Sequence, residues 1–286
     1  MKITRASVKI LFGLCSASAL AAPIESDHLI SIFQLDFPDA YSESSTDSYF
    51  QNTYATGVTA YGDLTTGKVG SSSIGADSIN SIVSIYDTLT FDTSTDVGFS
   101  FNIDGLLASN SIFESPYGQA RFDIFDITGL ANWLEEDDFF GIPDVAVSDD
   151  AVSVSANTIS LRMDGANAYQ TGVGDYTVEY DLPRDGEFHE VAYDLNGVFS
   201  VDSTKKYGIR LAANTFSSVG TSSTSAADFS NTGTFAFTNL GGASFTSGSG
   251  AFLSASPTAS VPTPSALSLL CLGLLGIGVI RRTKTA

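Results

Sequence analysis

The sequence predicts an all-β fold: a single antiparallel β-sandwich or jelly-roll-like domain, flanked by a signal peptide and a C-terminal transmembrane helix. Three observations predict the sandwich. Apolar and polar residues alternate with period two, most clearly in Val97-Gly-Phe99-Ser-Phe101-Asn-Ile103-Asp104, where every second side chain can face a core. Asp-Gly and Asn-Gly pairs, which suit the positive-φ positions of hairpin turns, punctuate the chain. Finally, Ser, Thr, Gly and Asp are abundant while there are only 2 Cys, 2 Met and 1 Trp, a composition that favours turns and strands. At 286 residues with 43% hydrophobic content, the chain can bury one sizeable core.

In chain order, strands are expected at 30–37, 79–91, 97–104, 120–127, 152–154, 159–163, 176–181, 188–193, 207–211 and 234–238. Turns are expected at Asp104-Gly105, Asp164-Gly165, Asp185-Gly186 and Asn196-Gly197. One short helix is expected over 129–140, around the single Trp133. The stretch Ile85-Tyr86-Asp87-Thr88-Leu89-Thr90-Phe91 is echoed by Phe229-Ser230-Asn231-Thr232-Gly233-Thr234-Phe235, either as equivalent strands in two halves of a sandwich or by chance. The body is expected over 22–246. A Ser/Gly/Thr/Pro-rich stretch follows at 247–260, with the composition of a flexible spacer.

Charge is distributed unevenly. Of 13 basic residues, Lys2, Arg5, Lys9, Arg281, Arg282 and Lys284 lie at the two ends. The body keeps seven against all 32 acidic residues, a net charge of −25. Such a surface repels phosphate backbones, which argues against a nucleic-acid partner, and it keeps a secreted protein soluble. Both cysteines, Cys15 and Cys271, also lie in the ends. The body therefore has no disulfide, thiolate nucleophile or Cys-ligated metal.

Residues 1–21 have the three zones of a secretory signal peptide: a basic n-region, an apolar h-region and small residues at Ala19 and Ala21, with cleavage expected before Ala22. The far end, 261–286, reads Val261-Pro262-Thr263-Pro264-Ser265, an apolar run at 266–280, then Arg281-Arg282-Thr283-Lys284. As a helix that run is about 22 Å long, short against a hydrocarbon core of about 30 Å. Basic clusters stay on the cytoplasmic side, so both terminal clusters place the acidic body across the inner membrane.

The order Val-Pro-x-Pro-Ser, Leu/Gly-rich helix and Arg cluster resembles the PEP-CTERM sorting signal. The resemblance covers about residues 261–284 and departs from the family at Thr263, where the family has Glu. It implies processing by an exosortase in the inner membrane and association with the exopolysaccharide of a Gram-negative envelope. The expected destination is export, a transient inner-membrane anchor, then the cell envelope or extracellular matrix, with a structural or adhesive role and no catalytic activity. The alternative is a secreted sandwich that binds or hydrolyses a glycan.

For catalysis the sequence offers little. His28 and His189 are the two histidines, with no G-x-S-x-G elbow and no H-E-x-x-H pair; no catalytic residue and no cofactor is assigned. Glu135-Glu136-Asp137-Asp138 beside Trp133, Phe139 and Phe140 has the ingredients of a carboxylate pair with a sugar platform, and equally those of an acidic helix with its aromatics in the core. Calcium is the one metal the acidic loops suggest, at Asp144, Asp149 and Asp150 or at Asp123 and Asp126. Asp194-Leu195-Asn196-Gly197 holds only a fragment of a calcium loop and reads as a hairpin turn.

Overall fold

Alternation along the chain becomes two large antiparallel sheets in the computed structural model, which describes residues 24–36, 39–55, 58–75, 79–108, 116–139, 142–164, 167–180, 188–217 and 225–254. The residues expected to form a signal peptide and a sorting signal, Ala19, Ala21, Ala22, 261–265, Arg281, Arg282 and Lys284 among them, lie outside these. The strands are β1 (His28–Asp36), β2 (Asp39–Ser45), β3 (Tyr49–Ala55), β4 (Val58–Asp63), β5 (Lys68–Gly75) and β6 (Ile79–Phe91). There follow β7 (Thr95–Ala108), β8 (Tyr117–Asp126), β9 (Leu134–Phe139), β10 (Ile142–Val147), β11 (Val152–Asp164) and β12 (Asn167–Val173). The last are β13 (Asp175–Tyr180), β14 (Phe188–Val201), β15 (Lys206–Ser217), β16 (Ser225–Asn239) and β17 (Phe245–Ser247).

Sheet I has the order β12-β11-β8-β15-β6-β1-β2, with β17 added to β6; sheet II runs β13-β14-β7-β16-β5-β4-β3. The sheets face each other: β11 packs on β14, β8 on β7, β15 on β16 and β5, β6 on β5 and β4, and β1 on β4 and β3. At each lateral edge the chain crosses from one sheet to the other. It does so between β2 and β3 through residues 46–48, and between β12 and β13 at Gly174. Gly174 takes φ +91 there, and a Cβ would meet Asn157 Oδ1 at 2.2 Å, so an L side chain is excluded twice over.

The space between the sheets has two unlike ends. Around β17 it is aromatic: Phe91, Phe235, Phe237, Phe245 and Phe252 pack with centroids 5.1–6.4 Å apart, mostly edge-on as ring quadrupoles prefer. At the other end hydroxyls join the sheets. Buried Ser71 donates to Ser81 O at 2.7 Å and buried Ser73 to Thr215 O at 3.1 Å, while Ser71 and Thr215 share a hydrogen bond at 2.8 Å. Small side chains that bond across the gap satisfy each other and so avoid the cost of buried unpaired polar groups.

Three expectations are corrected. The helix over 129–140 is not formed: β9 occupies 134–139 and pairs with β10. As one helical turn, Glu135 to Asp138 would crowd four carboxylates together, whereas a strand sends alternate ones to opposite sides. Asp104-Gly105 and Asn196-Gly197 are not turns; both lie inside the paired strands β7 and β14. These glycines make room for rings: a Cβ on Gly105 would lie 2.2 Å from Phe229 Cδ1, and one on Gly197 2.6 Å from Phe99 Cε1. Asp164 does pair with Asn167 across a two-residue connection, while Asp185-Gly186 lies outside the described residues.

The third correction concerns the start of the spacer. Residues 247–254 belong to the body: Gly248 N donates to Thr88 O at 2.8 Å, Leu253 N donates to Leu64 O at 2.8 Å, and Phe252 is only 3% exposed within the core. A large aromatic ring fills the aromatic end, which the Ser/Gly composition around it conceals.

Candidate functional site

On the outer face of sheet I, register sets three residues in a row across adjacent strands. Tyr86 on β6 lies opposite Arg210 on β15, and Arg210 lies opposite Asp123 on β8. Outward placement follows from the period, because Ile209 and Leu211 on β15, and Phe122 and Ile124 on β8, point into the core. Asp123 is fully buried; its Oδ2 accepts from Arg210 Nε at 2.8 Å, from Arg210 Nη2, and from Arg121 Nε at 2.5 Å. Its Oδ1, equally buried, has no partner among the described residues. The Arg210 guanidinium also lies 5.8 Å from the Phe125 ring centroid, within cation–π range.

A flap covers one end of this row. The β9–β10 hairpin and its approach lie over sheet I and form a second apolar cluster with Leu29, Tyr86, Ile127, Trp133 and Leu134. Trp133 stacks edge-on against Tyr86 at 6.0 Å. Its ring lies against Gly208, where a Cβ would sit 2.5 Å from Trp133 Cε3. Tyr86 donates to Val145 O at 3.0 Å, Ser31 donates to Asp144 Oδ1 at 3.5 Å, and Ile24 N donates to Leu134 O at 2.9 Å.

The electrostatics fix the row rather than prime it. Burial raises the Tyr86 phenol pKa above its ordinary value. Burial works against the Arg210 charge, yet Tyr86 and Asp123 together hold its pKa above the usual arginine value. The phenol keeps its proton and the guanidinium its charge across neutral pH, and Tyr86, bonded to Val145 O, ties this row to the flap.

The residues singled out in sequence fall in different places. Trp133 is 4% exposed and packs against Tyr86 and Gly208, while Glu135 is half-buried and Glu136 exposed on β9. His28 Nε2 is 2.7 Å from Thr46 O, at the β2–β3 crossover. His189 is buried on β14, on a different sheet. Asp123 and Asp126 are engaged by cations, Asp126 by Lys205 Nζ at 2.6 Å. Asp144 lies on β10, and Asp149 and Asp150 form an exposed turn after it; among the described residues no three His, Cys, Asp or Glu side chains group to hold a metal. Asp194 and Asn196 lie within β14.

Two features escape sequence reading. The Arg210–Asp123 pair shows in sequence only as single charges inside apolar alternation, Gly-Ile-Arg210-Leu and Arg-Phe-Asp123-Ile-Phe. The other is Asp87, which points inward from β6 and is fully buried. It accepts from Ser249 N at 3.1 Å, from the Ser249 hydroxyl, and from Thr88 N at 2.7 Å. Burial raises its pKa, opposed by those hydrogen bonds and by His28. No protein-family model matches the sequence, and comparison with curated proteins gives no match.

Proposed function

We infer that this chain is an exported protein sorted by an exosortase-type enzyme, and that its body serves a structural or adhesive role in the cell envelope or extracellular matrix. The observation that carries the reading is the three-part order at the C-terminal end: Val261-Pro262-Thr263-Pro264-Ser265, the apolar run 266–280, and Arg281, Arg282 and Lys284. Two prolines lack N–H donors and fix φ, which leaves an extended segment outside the bilayer. The basic cluster holds the far end in the cytoplasm, so a short apolar helix halts there until cleavage releases the body. The signal-peptide pattern ending at Ala19 and Ala21 gives the route into the membrane.

The body suits a passive role outside the cell. Three facing pairs are neighbours in sequence (β5 with β6, β7 with β8, β15 with β16), so the chain passes repeatedly from one sheet to the other, an arrangement of jelly-roll type. Its buried tyrosine–arginine–aspartate row and interlocked aromatic end support a rigid sandwich without disulfides. Exopolysaccharide is the envelope partner that the resemblance suggests.

Intact mass and location in the native host test the reading. The wild-type protein is expected without residues 1–21 and without the tail beyond 261–265, outside the inner membrane. Deleting the exosortase, or replacing Arg281, Arg282 and Lys284 with Ser, is expected to leave the tail uncut. Release of an unchanged mass from both strains overturns the sorting mechanism.

A further inference from the structure

The two lateral edges of the sandwich differ. On one, β3 spans β4 from Asp63 to Val58, and β2 covers β1 from Asp36 to Ile30. On the other, each edge strand stops halfway. β12 pairs with Thr158 to Asp164 of β11 and no further; β13 pairs with Val191 to Asn196 of β14 and no further. Both stop at Gly174, where the chain changes sheets. Residues 152–157 of β11 and 197–201 of β14 therefore have no strand on their outer side among the described residues. The two bare stretches belong to strands that face each other, so the edge forms a step through both layers.

The chemistry of the step is unusual for this body. Val-Ser-Val-Ser-Ala-Asn and Gly-Val-Phe-Ser-Val contain no charge and no proline in a body of net charge −25. Charge, proline and full coverage are the usual means of blunting an edge. Of the five exposed large apolar side chains among the described residues, four cluster by sequence at this edge: Val152 (64%), Val154 (39%), Val173 (63%) and Val198 (68%). β11 carries a bulge between Ser153 and Ser155, but β14 pairs with β7 in unbroken register through Val201, leaving its open edge regular.

We propose that this step is a self-association surface, on which residues 197–201 of two copies of this chain pair antiparallel about a two-fold axis and continue sheet II from one copy into the next. A second copy is the occupant that the step fits. A bare antiparallel edge is its own hydrogen-bonding complement after a two-fold rotation. Centred on Phe199, the pairing sets Val198 opposite Ser200 and Gly197 opposite Val201, with no carboxylate among the ten paired residues. Each copy's β13 then abuts the end of the other's β14, so two half-length edges make one full one. The axis runs through both layers and brings the two β11 stretches together as well. The surface is independent of how the tail is processed, so it can fail or hold separately from the sorting reading.

A disulfide test uses the cysteine-free body. In full-length chains with Cys15→Ser and Cys271→Ser, one tagged chain carries Val198→Cys and a differently tagged chain Ser200→Cys, and both are produced in the native host. Opposed residues on adjacent strands lie within disulfide reach, and both positions are exposed, so the core is untouched and Ser200→Cys gives up only a surface hydrogen bond to Asp96. Linked heterodimer is expected at about ten times the yield obtained when Ser200→Cys is replaced by Thr53→Cys on β3, because pairing raises the local thiol concentration. No linked species, or equal yield with Thr53→Cys, overturns the proposal.

Discussion

Ser249 donates both its backbone N–H and its hydroxyl to the carboxylate of Asp87, 162 positions earlier in the chain. The residue that looks like part of a spacer thus caps a charge fully buried between the sheets. Burial raises the Asp87 pKa above the ordinary aspartate value of 3.8, so between that value and the raised one the folded state holds a proton that the unfolded state has already lost. Stability from this group is complete below pH 3.8 and is lost as pH rises through the folded pKa. Asp126, held down to about 2 chiefly by its hydrogen bond from Lys205, acts with the opposite sign and only below that window. Urea midpoints across mildly acidic to neutral pH are expected to show Asp87→Asn gaining on the wild type as pH rises. Parallel curves would show that Asp87 does not titrate in the fold.

Phe252 is the anchor of the same segment. Phe252→Ala is expected to lower the unfolding free energy by about 3–5 kcal/mol, the range for deleting a buried aromatic side chain. Equilibrium denaturation measures it, and a loss below about 1 kcal/mol would mean the segment leaves the core readily.

Arg210 and Asp123 should behave as a unit. Arg210→Met leaves Asp123 buried beside Arg121 alone, and a loss of about 3–5 kcal/mol is expected. Adding Asp123→Leu is expected to restore most of it, since an apolar pair does not need the ionic contact. A double variant as weak as the single one would count against this account.

Gly105→Ala drives a methyl group into the Phe229 ring, whose stack on Tyr193 has centroids 5.3 Å apart and planes 8° apart. A cost of about 1–3 kcal/mol is expected, as for overpacking, with a change in the near-ultraviolet circular dichroism of the stacked rings. An unchanged aromatic signal at wild-type stability would sink the steric reading.

Strands whose inner faces carry large apolar residues were legible in sequence. The expected 79–91 coincides with β6, and 97–104 lies inside β7. β4 and β5 escaped because most of their inward residues are small or hydroxyl-bearing, Ala60, Gly62, Ser71 and Ser73 among them; Ser71 and Ser73 hold sheet contacts through hydroxyls, which no hydrophobic period marks. Asp-Gly and Asn-Gly misled at 104–105 and 196–197 because a missing Cβ serves two purposes, a turn or a seat for a ring, and only the neighbouring strand decides which. Trp133 was visible as an aromatic beside carboxylates, but its burial depends on the flap folding back over sheet I. Arg210 and Asp123 lie 87 positions apart, and only the strand order brings them together.

Asp27, just before β1, and Gly248, just after β17, meet at the aromatic end. Lys206 Nζ reaches Asp27 Oδ1 at 2.6 Å from β15, while a Cβ on Gly248 would lie 2.7 Å from that of Asp27. Any tether attached beyond Ser254 takes hold at this pole. A pull on it meets first the three residues of β17 and the Phe252 ring, which makes this end of the sandwich its mechanical clamp.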